Sequence, residues 1–136
     1  MSLLEIHLRR PKIYYHCEIP GEAMPWKRPG QYHHNASARD QQRILEAIQM
    51  ACPTLRRDDG CTKWGIRFRF FTNYANVGDW DNLAKNICDA LQGRVWQNDR
   101  MIREAYVVIV PHKRPRTEIL LYPITDDYLA ARTEQL

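Results

Sequence analysis

No apolar run in the sequence approaches the roughly 20 residues that a membrane-spanning helix requires, so no helical span and no membrane partner is expected. The opening residues, MSLLEIHLRRPK, are too charged and too poor in apolar side chains for a signal-peptide core, and a cytoplasmic location is expected. Cysteine is sparse: Cys17, Cys52, Cys61 and Cys88 form no CxxC pair and show no zinc-type spacing. Without a secretion signal, a disulfide framework is not expected. Cys17 and Cys88 fall within apolar patterns, where a free thiol behaves as a small buried hydrophobe. There is also no internal repeat and no low-complexity linker. A chain of 136 residues is therefore read as one domain, 1–136.

What is present is an ordinary globular composition, 44% hydrophobic and 26% charged, with a formal charge of +4. Lys27-Arg28, Arg56-Arg57, Arg67 with Arg69, and Lys113-Arg114 with Arg116 recur along the chain, and His33 and His34 follow the first cluster. Such pairs either converge on one phosphate-tracking surface or are solvated faces.

Ile13–Ile19 (IYYHCEI), rich in β-branched and aromatic residues, reads as a strand ended by Pro20-Gly21. The stretch from Pro20 to Asn35 reads as a long irregular loop carrying Pro25, Trp26, Lys27, Arg28, Pro29 and Gly30. Ser37 with Asp40 makes an S-x-x-D cap for a helix with Ile44, Ile48 and Ala51 at helical spacing, ending near Cys52 before Pro53. Arg56–Gly60 (RRDDG) reads as a turn. From Lys63 to Phe71 the pattern alternates, with Trp64, Ile66, Phe68 and Phe70 on one face and Arg67 and Arg69 on the other: a half-buried strand. A second helix is expected over about Asn82–Leu91, with Leu83, Ile87 and Leu91 on one stripe and Gly93 as its stop. Glu104–Pro111 and Thr117–Tyr122 read as strands joined by the basic loop His112–Arg116. Pro123–Leu136 either forms a short helix or frays. The order β, loop, α, β, α, β, β predicts an α+β domain with two main helices packed on a small mixed sheet.

The segment GDWDNLAKNICDALQGRVWQNDRMI, Gly78–Ile102, carries the chemistry. Asp79 and Asp81 stand two apart ahead of a helix, and in extended backbone such residues share a face, about 6.6–6.8 Å apart at Cα. Both carboxylates then reach one hard cation, while Trp80 points the other way into packing. Asp81 is placed at the helix N-cap, where the dipole and free amides favour an ionised carboxylate. Lys85 lies one turn along, positioned for a phosphate, a developing oxyanion or a metal-bound water. Its alternative is an i,i+4 ion pair with Asp81 or Asp89, worth roughly 0.2–0.5 kcal/mol. Asp99 returns in the polar turn Gln97-Asn98-Asp99. Carboxylates brought together without a cation repel and raise one another's pKa; bound Mg²⁺ removes that cost. The pairs Asp58-Asp59 and Asp126-Asp127 are assigned no catalytic role.

The whole pattern D-x-D-N-L-x-K-x-x-x-D-A-L-x-G-x-x-W-x-x-D resembles the signature of the RusA family of Holliday-junction resolvases, found in bacteria, prophages and phages. The segment IPGEAMPWKRPGQ resembles that family's opening strand and Pro-rich basic loop, and the resemblance runs through the capped helix to a closing hairpin, over about residues 13–122. It implies that Asp79, Asp81 and Asp99 are catalytic, metal-binding aspartates, that Lys85 is a catalytic lysine, and that Asp89 is structural. Where the family often has paired aspartates this chain has Asn98-Asp99, which lowers Mg²⁺ affinity if Asn98 replaces a helping carboxylate.

The resemblance further implies a homodimer that cuts a four-way DNA junction by paired symmetric hydrolysis with Mg²⁺, Mn²⁺ substituting, in recombination and repair. Two identical sites about a two-fold axis suit a junction with two symmetric strands to cut. Lys27, Arg28, Arg67, Arg69 and Arg114 are the expected phosphate contacts. Two alternatives remain open here: a nuclease of the same fold acting on flaps or forks, and a catalytically silent structure-specific DNA-binding protein.

Overall fold

Strand β2, Lys63–Thr72 (KWGIRFRFFT), is covered on both faces along nearly its whole length. A strand buried on both sides belongs inside a sheet. The computed structural model, which describes Leu3 and residues 10–24, 36–56, 62–73 and 78–135 (backbone alone at 36–37 and 131–135), places it there. With β1 (Tyr15–Pro20), β3 (Ile102–Pro111) and β4 (Arg116–Ile124) it forms one mixed sheet of order β1–β4–β2–β3. β2 and β3 run parallel, and β4 is antiparallel to both β1 and β2. Three helices complete the expected α+β architecture: α1 (Ala36–Ala51), α2 (Trp80–Leu91) and α3 (Asp126–Gln135). The RRDDG turn lies largely outside the described residues.

Parallel neighbours cannot be joined by a tight turn, and α2 makes the crossover between β2 and β3. Leu83, Ile87 and Leu91 recur every four residues along it and are buried, together with Ile44 and Ile48 of α1, against Cys17, Ile19, Ile66, Phe68, Phe70, Ile119 and Leu121 of the sheet. Gly93, at φ 78°, takes the left-handed conformation that stops the helix, as its position predicts. Trp96, fully buried, then packs on Trp64 with ring centroids 6.1 Å apart.

The expected hairpin between β3 and β4 does not form. β2 lies between them, so residues 112–115 cross over its end. The reason is burial: β4 is nearly as enclosed as β2, and pairing the two leaves the half-exposed β3 at the sheet's edge. The crossing is tied down by His112 N donating to Thr72 O (2.8 Å) and Gly21 N donating to Pro115 O (3.0 Å). The S-x-x-D cap is also corrected. α1 starts at Ala36, and Asp40 faces inward, accepting from Asn86 Nδ2 of α2 (2.7 Å) and from Arg43 Nε (3.0 Å).

The second face of the sheet is covered by Leu3 and by Tyr128 of α3, so the half-buried reading of β2 and the fraying tail both give way to a small second core with Leu120 and Tyr122. Arg67 lies within it at 0% exposure. Its guanidinium donates to Tyr122 Oη (3.1 Å), Leu3 O (3.0 Å) and Tyr128 Oη (3.0 Å), and lies 3.5 Å from Glu104. Both tyrosine hydroxyls donate in turn to Glu104 Oε1. Gly65 permits this arrangement, because a Cβ there would collide with the Tyr122 ring.

Removing one partner of a buried, hydrogen-bonded ion pair strands the other, at a cost of about 3–5 kcal/mol. Arg67→Ala is expected to lower unfolding stability in urea by that amount. A loss under about 1 kcal/mol would show that this cluster does not hold α3 to the sheet.

Candidate active site

The acidic residues of the signature lie at the two ends of α2. Asp79 is its N-cap, with extended backbone (φ −75°, ψ 142°) and no side-chain capping bond. Asp81 falls in the first turn, two positions inside the N-cap where the spacing put it, and its Oδ1 accepts from Asn82 N (2.9 Å). Both carboxylates are exposed at a helix start, where backbone amides favour negative charge. Trp80 is the first helical residue and 59% exposed, so it does not pack inward as expected.

Asp99 opens a one-turn 3₁₀ helix, Asp99–Met101, directly before β3. Trp96 Nε1 donates to its Oδ1 at 2.9 Å. The Gln92 amide, oriented to donate, lies 3.3 Å from Oδ1 and 3.2 Å from Oδ2. Asn98 caps this turn, its side chain accepting from Arg100 N (2.9 Å). That capping role needs only a side-chain acceptor, which the Asn98 amide oxygen supplies.

Gln92 follows the last residue of α2, and eleven helical steps from Asp81 amount to about 16 Å. Asp79 and Asp81 therefore sit beside the C-terminal end of β2, while Asp99 sits at the opposite edge where β3 begins. A single chain does not bring the trio together: among the described residues no group of three or more His, Cys, Asp or Glu could hold a metal ion.

Lys85 Nζ pairs with Asp89 Oδ2 at 3.1 Å and Oδ1 at 3.3 Å, so of its two ion-pair alternatives the Asp89 one forms. Its side chain remains about half exposed. Cys88, between them on α2, is buried, and burial pushes its thiol up to about 12, with Asp99 and Asp89 adding and Lys85 opposing. A thiol so raised stays protonated at neutral pH and supplies neither nucleophile nor metal ligand.

The basic residues divide similarly. Arg67 is enclosed beneath α3, with its guanidinium satisfied by protein groups, and offers nothing to a phosphate; that expectation is corrected. Arg69, partly exposed, donates to Glu118 Oε2 (2.6 Å) and lies over Phe71. Arg114 is 68% exposed on the crossing loop, 3.7 Å from Glu18. Lys27 and Arg28, with Trp26, His33 and His34, lie outside the described residues. Sequence reasoning named the Arg56-Arg57 pair but missed its meeting with Arg94. Arg56, after α1, and Arg94, after α2, line one open groove of about 520 Å³, with no carboxylate among its described lining residues. It also gave Trp96 no role, although the W-x-x-D spacing places the indole within reach of Asp99.

A crossover helix with carboxylates at both ends, on a mixed sheet with basic side chains at both edges, suits a protein that handles a phosphodiester backbone. The family comparison agrees: residues 19–122 match the model of Endodeoxyribonuclease RusA, and the chain belongs to this family of endodeoxyribonucleases. A search of curated proteins returns no match.

The thiols give a direct check on this region. Burial also pushes Cys17 up, to about 11. At pH 9, where an ordinary thiol is half ionised, Cys17 and Cys88 are expected to resist iodoacetamide in the folded protein and to react once it is unfolded. Rapid labelling of folded Cys88 would mean that the α2–Asp99 junction is open to solvent.

Proposed function

We propose that this chain is a Mg²⁺-dependent endonuclease that resolves four-way DNA junctions by paired symmetric cuts, acting as a homodimer. The observation that carries the reading is the placement of the signature aspartates at the two ends of α2 in a chain of the RusA family. Carboxylate oxygens are the donors a hard cation takes. Asp79 and Asp81 present theirs to solvent, and Asp99 is held by Trp96 at the other edge. The donor set fits the metal, but one chain divides it. Two chains about a two-fold axis can place Asp79 and Asp81 of one beside Asp99 of the other, giving two equivalent sites.

When bound, the metal supplies charge neutralisation at the scissile phosphate and an activated water. Asp79 and Asp81 would hold it from the start of α2. Lys85 exchanges Asp89 for a phosphate oxygen and stabilises charge developing there. Hydrolysis leaves 5′-phosphate and 3′-hydroxyl ends. Arg69 and Arg114 contribute phosphate contacts at one edge and Arg56 and Arg94 at the groove they line; Lys27 and Arg28, outside the described residues, add further contacts.

With labelled four-way junction and Mg²⁺, wild type is expected to make paired symmetric cuts, and Asp81→Asn is expected to bind the junction without cutting. Cutting that survives Asp81→Asn would remove the site from α2; equal cutting of flaps and forks would favour the broader branched-DNA nuclease. Neutralising one phosphate contact changes the log–log salt slope of binding by about 0.9. Arg56→Ala with Arg94→Ala is therefore expected to flatten the slope by about two, and an unchanged slope would exclude that groove as a DNA contact.

A further inference from the structure

We propose that Trp96 is a positioning residue for the metal site: its indole N–H, with the Gln92 amide, fixes the Asp99 carboxylate in the orientation that receives the cation. The inference rests on the reading of Asp99 as a metal ligand. Trp96 is fully buried, wedged against Trp64, and donates to Asp99 Oδ1 at 2.9 Å. Its backbone is held as well, since Gly93 N donates to Trp96 O at 2.7 Å. An indole clamped in this way cannot swing, so the position of Oδ1 follows from the packing of the core.

Gln92 completes the hold, its amide nitrogen 3.3 Å from Oδ1 and 3.2 Å from Oδ2. An ionised carboxylate offers about four lone-pair positions. With Trp96 and Gln92 as its donors, the Asp99 carboxylate keeps lone pairs for a cation. Both donors are neutral, so they orient the carboxylate without cancelling the charge that attracts a cation. A buried indole needs some acceptor, and a backbone carbonyl would serve packing equally well. Use of the signature aspartate instead couples the core of the domain to the site. Partners of this kind behind metal-binding carboxylates typically change metal affinity 10–100-fold when removed.

The test is Trp96→Phe, which keeps a ring in the core and deletes the donor. Mn²⁺ binding to the intact protein without DNA, followed by electron paramagnetic resonance, is expected to weaken about 10–100-fold. The Mg²⁺ concentration for half-maximal junction cutting is expected to rise in parallel, while the rate at saturating Mg²⁺ stays near wild type. Trp64→Phe, which disturbs the same packing and keeps the hydrogen bond, is expected to weaken Mn²⁺ binding far less than Trp96→Phe does. If Trp96→Phe fails to fold, Gln92→Leu at the exposed helix end is expected to weaken Mn²⁺ binding in the same direction. Unchanged Mn²⁺ binding in Trp96→Phe, or in Gln92→Leu where that variant stands in, would overturn the proposal if Asp99→Asn loses it. Unchanged binding and cutting in Asp99→Asn would overturn the assignment of Asp99 itself, and this proposal with it.

Discussion

The seating of α2 on the sheet governs everything functional in this chain. Leu83, Ile87 and Leu91 bury one stripe of the helix in the core beneath the sheet, and Asn86, 1% exposed, fastens it to α1. Asn86 Nδ2 donates to Asp40 Oδ2 and to Met24 O, and its Oδ1 accepts from Gln41 Nε2. A buried amide with its bonding capacity so filled allows one placement of the helix and penalises others, since sliding would strand polar groups out of water. Because α2 is rigid, its length sets the distance between Asp79–Asp81 and Asp99. The crossover therefore acts as a spacer between the two groups of signature aspartates.

The sheet contributes by giving each half a fixed edge. Parallel pairing of β2 and β3 puts the N-terminus of α2 beside the strands' C-terminal ends, the side where open α/β sheets bind ligands. The crossing loop with Arg114 occupies the same edge. Asp99 lies at the other, where β3 begins. Beneath α3, the buried Arg67–Glu104 pair ties the terminal segments to the second face, away from both edges. Two basic residues adjacent in the alternation of one strand thus have different roles. Arg67 serves the fold, while Arg69 lies nearer the open end of the strand.

Local pattern made much of this legible. The alternation of Lys63–Phe71 located β2, the stripe Leu83–Ile87–Leu91 located α2, and Gly93 marked its stop. The family was legible because its signature is dense in residues with specific chemistry. The errors arose where tertiary partners decide. Nothing near Arg67 in sequence announces Tyr122, Tyr128 and Glu104, so its burial could not be read from alternation. The 3.6-residue period does not say whether Asp79 or Asp81 is the cap, and adjacency in sequence made β3 and β4 look like a hairpin although β2 separates them. The division of the aspartates between opposite ends of α2 is likewise a property of topology, invisible in the spacing of a motif.

The central claim is that a working site draws Asp79 and Asp81 from one chain and Asp99 from another. It can be tested by mixing two inactive variants, Asp81→Asn and Asp99→Asn, under conditions that exchange subunits. In a mixed dimer one site then carries both defects and the other carries neither. Nicking of one junction strand is expected to return in the mixture, at up to about half the sites of the mixed dimers. Persistent inactivity of a mixture shown to contain heterodimers would contradict it and place each complete site within a single chain.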